Sequence, residues 1–143
     1  MISFKKFLLE YEWIRPTDRE HHEVKYQLKN YKYSIPKHLY TKLKELSDKN
    51  IFSKEIDNAK KEIYDKEKIK KVDNTTASDG NSFEYLKKEK QKRVKTYFDN
   101  GTIETPIILR HKQSGHEHLL SGNTRATYGI KKDGNFTATV IEY

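Results

Sequence analysis

The residue types best suited to chemistry lie in the last third of the chain, where a glycine turn leads into a predicted helix. Gly122 follows the apolar run Leu119-Leu120, and Arg125 opens a helix predicted over residues 125–132. A glycine there lets the backbone approach an anion closely, and the free N–H groups of a helix start favour negative charge. Arg125 can add a two-pronged contact to a phosphate. The pattern predicts an anion site, although an ordinary turn beside a surface arginine fits it equally well.

Three β-rich runs must position this turn. The runs at 107–109 and 118–120 are separated by turn residues around Gly115 and predict a hairpin. Residues 136–141 form a third run after the predicted helix, which Asp133-Gly134 ends. The predicted order is therefore strand, strand, glycine turn, helix and strand.

This segment resembles the ParB/sulfiredoxin-like fold family. The likeness is carried by P-I-I-L at 106–109, by G-H-E-H-L-L-S-G-N-T-R-A-T-Y-G-I at 115–130 and by the final strand, and it covers about a third of the chain, residues 97–143. Gly122 and Arg125 match the family's G-x-x-R at a strand-to-helix junction. The resemblance implies an α+β fold in which a small mixed sheet carries a helical N-terminal or inserted region. It also implies a pocket for phosphates of a nucleotide or of DNA, lined by Ser121, Gly122, Asn123, Thr124 and Arg125.

The chain departs from the family at the position after the motif glycine. Sulfiredoxins carry a catalytic cysteine there, whereas this chain has Asn123 and contains no cysteine at all, which excludes reduction of a sulfinic acid. Chromosome-partition ParB proteins usually have glutamate there, followed by a run of arginines. Asn123-Thr124 therefore argues against a partition-type CTP switch. No helix-turn-helix pattern follows the motif.

Composition and length predict one domain over residues 1–143 that is rich in charge. Only 34% of the residues are hydrophobic, so the 10 Tyr and 6 Phe must fill much of the core. Without cysteine there are no disulfides or thiolate-bound metals, which fits a reducing cytoplasm. No long apolar run predicts a signal peptide, a transmembrane helix or a membrane partner.

The rest of the chain is predicted to be mainly helical between residues 36 and 98, ahead of a β-β-α-β core segment at 99–143. Helices are predicted from Pro36 and over 53–70, with a mobile loop at 71–82. Before them, apolar spacing predicts an amphipathic helix at 1–14, a solvated loop at 17–23 and one or two strands between Val24 and Ile35.

A basic helix predicted over residues 82–98 suggests contact with a polyanion. The net charge is +8 and the isoelectric point is about 9.4, the balance typical of nucleic-acid binders. An AT-rich genome or a solubilising helix face would give the same composition. The residues predicted to contact nucleic acid are Lys87, Lys88, Lys90, Lys92, Arg93 and Lys95.

A catalytic version would need a base or a metal ligand beside the phosphate clamp. Glu104, Glu117 and Asp18 are candidate acids, while His116 and His118 stand two apart on a predicted strand and share one face. Relatives with this fold include nucleases and ATP-using kinase-like proteins, so the resemblance leaves both reactions open, with Mg²⁺ and ATP or CTP as the implied cofactors. The predicted catalytic residues are Arg125, Glu104, His116 and His118.

The opening M-I-S-F-K-K-F-L-L-E resembles small bacteriophage proteins. An alternative function is therefore a phage-encoded interaction module in a host cytoplasm, which uses Phe7 and Tyr11 to grip a host protein. The leading interpretation is a ParB-like protein that binds nucleotide or DNA phosphates. The oligomeric state does not follow from the sequence.

Overall fold

The structure is a computed structural model that describes residues 11–143. Most of the helix predicted at 1–14, including Phe7, lies outside the described residues. Its last part is a strand rather than a helix, because residues 12–14 pair in parallel with residues 102–104. The described chain is an α+β protein.

Within residues 11–143, seven strands form two sheets. Their bounds are β1 (Glu12–Ile14), β2 (Lys60–Asp65), β3 (Val72–Asp73), β4 (Thr102–Glu104), β5 (Ile107–Arg110), β6 (Glu117–Ser121) and β7 (Asn135–Glu142). β1 and β4 make a two-stranded sheet, and the other five strands make a mixed sheet of order β2-β7-β5-β6-β3. β5 and β6 are the predicted antiparallel hairpin, while β7, which follows the helix after Gly122, pairs in parallel with β5.

Helices cover both faces of the five-stranded sheet. Their bounds are α1 (His21–Tyr31), α2 (Lys37–Leu46), α3 (Lys49–Asn58), α4 (Lys66–Ile69), α5 (Lys88–Asp99) and α6 (Asn123–Asp133), with 3-10 turns at Asp18–Glu20 and Gly80–Tyr85. Alternate β5 residues point to opposite faces: Ile108 packs with Ala126 and Ile130 of α6, whereas Ile107 and Leu109 pack with α1, α2 and α3. The motif helix α6 thus covers the opposite face of the sheet from α1, α2 and α3.

The prediction of strands between Val24 and Ile35 is wrong, since this segment is helix α1 and the turn after it. Val24 is fully buried and Leu28 packs against the same cluster, which is helical spacing. Tyr26, which the strand pattern placed on the same face as Val24, is 52% exposed. The loop predicted at 17–23 is also wrong, because a 3-10 turn and the start of α1 occupy it.

The helix predicted over 53–70 is wrong in its second half. The helix ends at Asn58, and β2 pairs antiparallel with β7 over its full length. Tyr64 is fully buried while Ile63 is 65% exposed, so the two neighbours lie on opposite faces of a strand. Pairing with a strand far along the chain overrides the local helical spacing.

Two residues of the segment at 71–82, which is predicted to be a mobile loop, are buried in the core. Val72 belongs to β3, and Ala77 is fully buried against the face that carries α6. The basic helix begins later than predicted, at Lys88, because residues 80–85 form a 3-10 turn that places Phe83 beside Val94 in a third apolar cluster. No helix in residues 11–143 is long and apolar enough to cross a membrane.

Candidate functional site

The structure contains the predicted glycine turn at the end of β6. Gly122 has φ 93° and caps α6, whose first ladder bond joins the Ala126 N–H to the Gly122 carbonyl over 2.9 Å. The N–H groups of residues 123–125 precede that bond and so have no carbonyl partner in their own helix. A Cβ at position 122 would lie 2.7 Å from the Cα of Pro106. Only glycine therefore fits this turn.

Two buried polar atoms at the turn have no hydrogen-bond partner within residues 11–143. They are the hydroxyl of Ser121, a residue only 5% exposed, and Nε of Arg125. Both residues line the same cleft as Gly122. A buried polar group without a partner costs about 1–3 kcal/mol, so a ligand that bonds to these atoms would offset that cost.

Arg125 is held by a carboxylate that the sequence did not single out. Its Nη2 lies 2.8 Å from Oε1 of Glu20, and the two side chains are 14% and 12% exposed. The pair leaves Arg125 Nε unused. An anion that enters the cleft therefore meets an arginine whose charge is already partly neutralised.

Glu104, a predicted catalytic residue, has a structural role: it binds Thr17 and Arg19, which precede Glu20 in the chain. Its carboxylate accepts the backbone N–H of Thr17 over 2.8 Å and an Arg19 N–H over 2.9 Å. Burial alone would raise the pKa of Glu104, but the Thr17 hydrogen bonds and the charge of Arg125 outweigh it and lower that pKa. Glu104 is thus an ionised structural acceptor.

The side chain of Asn123 fastens the segment at 74–77 to the motif. Its Oδ1 accepts the Thr75 hydroxyl over 2.6 Å and the Thr76 N–H over 3.0 Å, and its Nδ2 donates to the Thr76 hydroxyl over 3.0 Å. These bonds use both ends of the amide. Asn123 can therefore contribute its backbone N–H to an anion, but its side chain has a structural role.

A cleft of about 930 Å³ opens in front of the turn. All five predicted phosphate-site residues line it, and α1 and α5 supply its walls. Its other charged and aromatic lining residues are Arg19, Glu20, His22, Glu23, Tyr26, Tyr31, Lys90, Arg93 and Tyr97. The volume is at the upper end of the range for small-molecule sites.

Two of the six predicted nucleic-acid contacts face this cleft. Lys90 and Arg93 line it together with Tyr97 of the same helix, at spacings that share one helix face. Lys87, Lys88, Lys92 and Lys95 are not among the residues that line it. One face of α5 therefore lies along the same cleft as the Gly122 turn.

His116 and His118 lie away from the Gly122 cleft, beside a second cavity of about 320 Å³. His118 is 5% exposed, and its Nε2 lies 2.6 Å from the side-chain oxygen of Gln27. Burial lowers the pKa of His118 to about 4, so the ring is neutral at pH 7. His116 Nε2 lies 2.8 Å from Asp73 Oδ2. The structure does not bring either imidazole to the predicted phosphate site.

His118 should contribute to the loss of folding stability at acidic pH, and unfolding measurements can test this. Its ordinary pKa is 6.5, so between pH 6.5 and about 4 the unfolded chain binds a proton that the folded chain does not. This contribution to the free energy of unfolding is present above pH 6.5, falls as the pH falls and is fully lost below about pH 4. We expect the free energy of unfolding, measured with urea, to fall less steeply between pH 6.5 and about 4 in His118→Gln than in wild type.

The free energy of unfolding of each protein above pH 6.5, where the His118 ring is neutral in both the folded and the unfolded chain, supplies the reference for that slope. Some slope should remain in His118→Gln, since burial and the neighbouring His111 and His116 also lower the pKa of His38. Equal slopes for wild type and His118→Gln would contradict the role assigned to His118.

The other two candidate acids, Glu117 and Asp18, do not line the Gly122 cleft. Glu117 accepts from Arg110 over 2.9 Å and from the Tyr64 hydroxyl over 2.5 Å, and Arg110 also binds Glu62, so this network links β2, β5 and β6. The Arg110 hydrogen bond lowers the pKa of Glu62 to about 2. Asp18 is exposed and does not line the cleft.

Sequence reasoning missed Glu20 and the tyrosines of α1 as parts of the site. Glu20 carried no local signal because its partner, Arg125, is distant in the chain. Tyr26 was assigned to a strand, yet its spacing of four from His22 already fitted one helix face that lines the cleft. Tyr11, predicted to grip a partner, is half-buried and packs with its ring 4.6 Å from that of Phe98.

Taken together, the geometry places the start of a helix, one arginine and one carboxylate beside one another at the cleft. Within residues 11–143, no three His, Asp or Glu side chains are grouped so that they could hold a metal ion. Comparisons of the chain with protein-family models, with curated proteins and with solved structures found no match in any of the three.

Proposed function

We propose that the Gly122 cleft binds the phosphate of a nucleotide or of a nucleic acid, in a fold of the ParB/sulfiredoxin-like type. The supporting observation is the pair of buried, unpartnered polar atoms at the start of α6, on Ser121 and Arg125. They lie beside free backbone N–H groups and a glycine that admits close approach. Hydrogen-bond donors that lack a partner in this way suit a multiply charged oxyanion as their ligand.

Each group in the turn has a distinct part in this proposal. The N–H groups of residues 123–125 and the Ser121 hydroxyl donate to phosphate oxygens, and Arg125 adds charge. Thr124, half-buried at the cleft wall, can add a hydroxyl. Mg²⁺ would reach the site with the nucleotide, where its charge would offset that of the phosphates.

If the protein is an enzyme, either a nuclease or an NTP-dependent phosphotransferase, Glu20 would be its acidic catalytic residue. This carboxylate lies 2.8 Å from Arg125, whereas Glu104 is hydrogen-bonded to Thr17 and Arg19. Turnover of a labelled oligonucleotide or of ATP with Mg²⁺, lost in Glu20→Gln, would support it. Binding without turnover would leave the protein a binding module.

A thermal-shift measurement on the whole chain tests the binding proposal. ATP, CTP, GTP, inorganic phosphate, a short DNA duplex and a single-stranded oligonucleotide are each added with and without Mg²⁺. A ligand that binds only the folded state at about 100 times its Kd adds about 2.7 kcal/mol of stability and raises Tm. The proposal fails if none of these ligands raises Tm at low salt.

The contact between Glu20 and Arg125 yields a sharper prediction. We expect Glu20→Gln to tighten phosphate or nucleotide binding about tenfold, because a neutral amide removes the negative charge that competes with the ligand for Arg125. Isothermal titration calorimetry measures the change. The glutamine amide can still accept from Arg125, so the fold is retained.

Glu23→Gln is the matched control for Glu20→Gln. It removes the same charge from the same cleft, but Glu23 pairs with His22 rather than with Arg125. An equal gain in both variants would show that only the overall cleft charge matters. Weaker binding in Glu20→Gln would contradict competition by Glu20.

A further inference from the structure

Two cations face the Gly122 cleft without any acidic partner in the described part of the chain. The other basic groups there are paired: Arg125 with Glu20, and Arg19 with Glu104. Lys90 and Arg93 have no such ion pair, are exposed, and stand one helical turn apart on α5. Their side chains therefore extend the positive charge of the phosphate site along the cleft wall.

Three tyrosines line the same cleft with substantial exposure. Tyr26 and Tyr31 of α1 are 52% and 37% exposed, and Tyr97 of α5 is 38% exposed. The rings of Tyr26 and Tyr31 meet edge to face with centroids 6.1 Å apart. Exposed aromatic rings that share a cleft with cations can form a stacking platform for bases.

We propose that the ligand of this cleft is a single-stranded nucleic acid rather than a free nucleotide. The inference rests on the proposed function, since one backbone phosphate occupies the Gly122 turn. Neighbouring phosphates then lie along Lys90 and Arg93, and their bases stack on the tyrosines. A free nucleotide has one base and cannot use three rings, while a duplex keeps its bases stacked on each other and away from them.

Fluorescence anisotropy with labelled oligothymidylate and oligouridylate of about 12 nucleotides tests this on the full chain. Unlabelled TTP, UTP and a duplex of equal length are the competitors. We expect at least one oligonucleotide to bind about tenfold or more tightly than its nucleoside triphosphate and than the duplex. Binding should weaken steeply as salt rises from roughly 50 to 200 mM.

Variants on one helix supply matched controls. The double variant Lys90→Ala/Arg93→Ala should weaken oligonucleotide binding about tenfold or more. Lys88→Ala/Lys92→Ala removes the same charge from the same helix outside the cleft and should change it much less. Tyr97→Ala should weaken binding about tenfold. Tyr85→Ala, at a residue that is 89% exposed outside the cleft, should leave binding unchanged.

The outcomes separate this inference from the function on which it rests. If TTP or UTP binds as tightly as the oligonucleotides, the inference is overturned while the phosphate site stands. Tighter binding of the duplex, or equal losses in the two double variants, also overturns it. If no oligonucleotide, nucleoside triphosphate or duplex binds, the inference and the proposed function fail together.

Discussion

Replacing Arg125 with alanine should weaken ligand binding about 100-fold and abolish the rise in Tm that a bound nucleotide or oligonucleotide produces. The guanidinium is the charged donor nearest the helix start, and a two-pronged contact to phosphate combines two charge-assisted hydrogen bonds of about 1.5 kcal/mol each. Calorimetric titration of the ligand identified in the thermal screen measures the loss.

The same change also leaves Glu20 nearly buried without its partner, so Arg125→Ala alone should lower stability. The double variant Arg125→Ala/Glu20→Ala removes both charges together and should recover part of that loss. It should still fail to bind the ligand. This second variant separates a folding defect from a binding defect.

Arg15→Ala is the matched control for the arginine. Arg15 pairs with Asp57 over 2.6 Å on an exposed surface outside the cleft, so the change removes the same charge and an ion pair. We expect wild-type affinity and little change in stability, since exposed pairs contribute about 0–1 kcal/mol. Wild-type affinity in both Arg125 variants would refute the phosphate site.

Local signals were sufficient to predict the elements of the motif segment. The β5–β6 hairpin has a turn at Gly115, the helix starts after Gly122, and it ends at Gly134 with φ 79°. Each boundary depends on residues adjacent in sequence, where glycine conformation decides the path of the chain. The backbone geometry at this junction therefore followed from the sequence.

The elements that failed depend on partners distant in the chain. Residues 60–65 have helical spacing with Ile56, yet they form a strand because β7 offers an unpaired edge. In α1, the alternation of Val24, Tyr26 and Leu28 fits a strand, and only the apolar surface of α2 and the sheet selects the helix. Local spacing carries no information about such long-range contacts.

The site was predicted only in part for the same reason. Ser121, Gly122 and Arg125 are within five residues, whereas Glu20 reaches Arg125 only after the chain folds. His118 shows the opposite error, because a histidine that suits catalysis by type is buried against Gln27 with a lowered pKa. Burial decides the chemistry of a titratable group, and the sequence does not specify burial directly.

Gly122→Ala should have the largest effect on stability of any single change at the site, about 3–4 kcal/mol in urea unfolding. A left-handed backbone costs a non-glycine residue about 1–2 kcal/mol. The new Cβ would also lie 2.7 Å from the Cα of Pro106 and 2.8 Å from Nη2 of Arg125. The guanidinium can shift, but the Pro106 backbone is fixed between strands, so overpacking adds about 2 kcal/mol.

Gly134→Ala separates the cost of the left-handed backbone from the cost of overpacking. Gly134 ends the same helix with φ 79°, but a Cβ there meets nothing within 4 Å. It should show the backbone cost alone, about 1–2 kcal/mol, and keep wild-type ligand affinity. Equal destabilisation of the two variants would mean that the close approach of Pro106 does not constrain the turn. A larger loss at Gly122, together with weaker ligand binding, would show that one backbone position sets both the chain path and the access of an anion to the helix start.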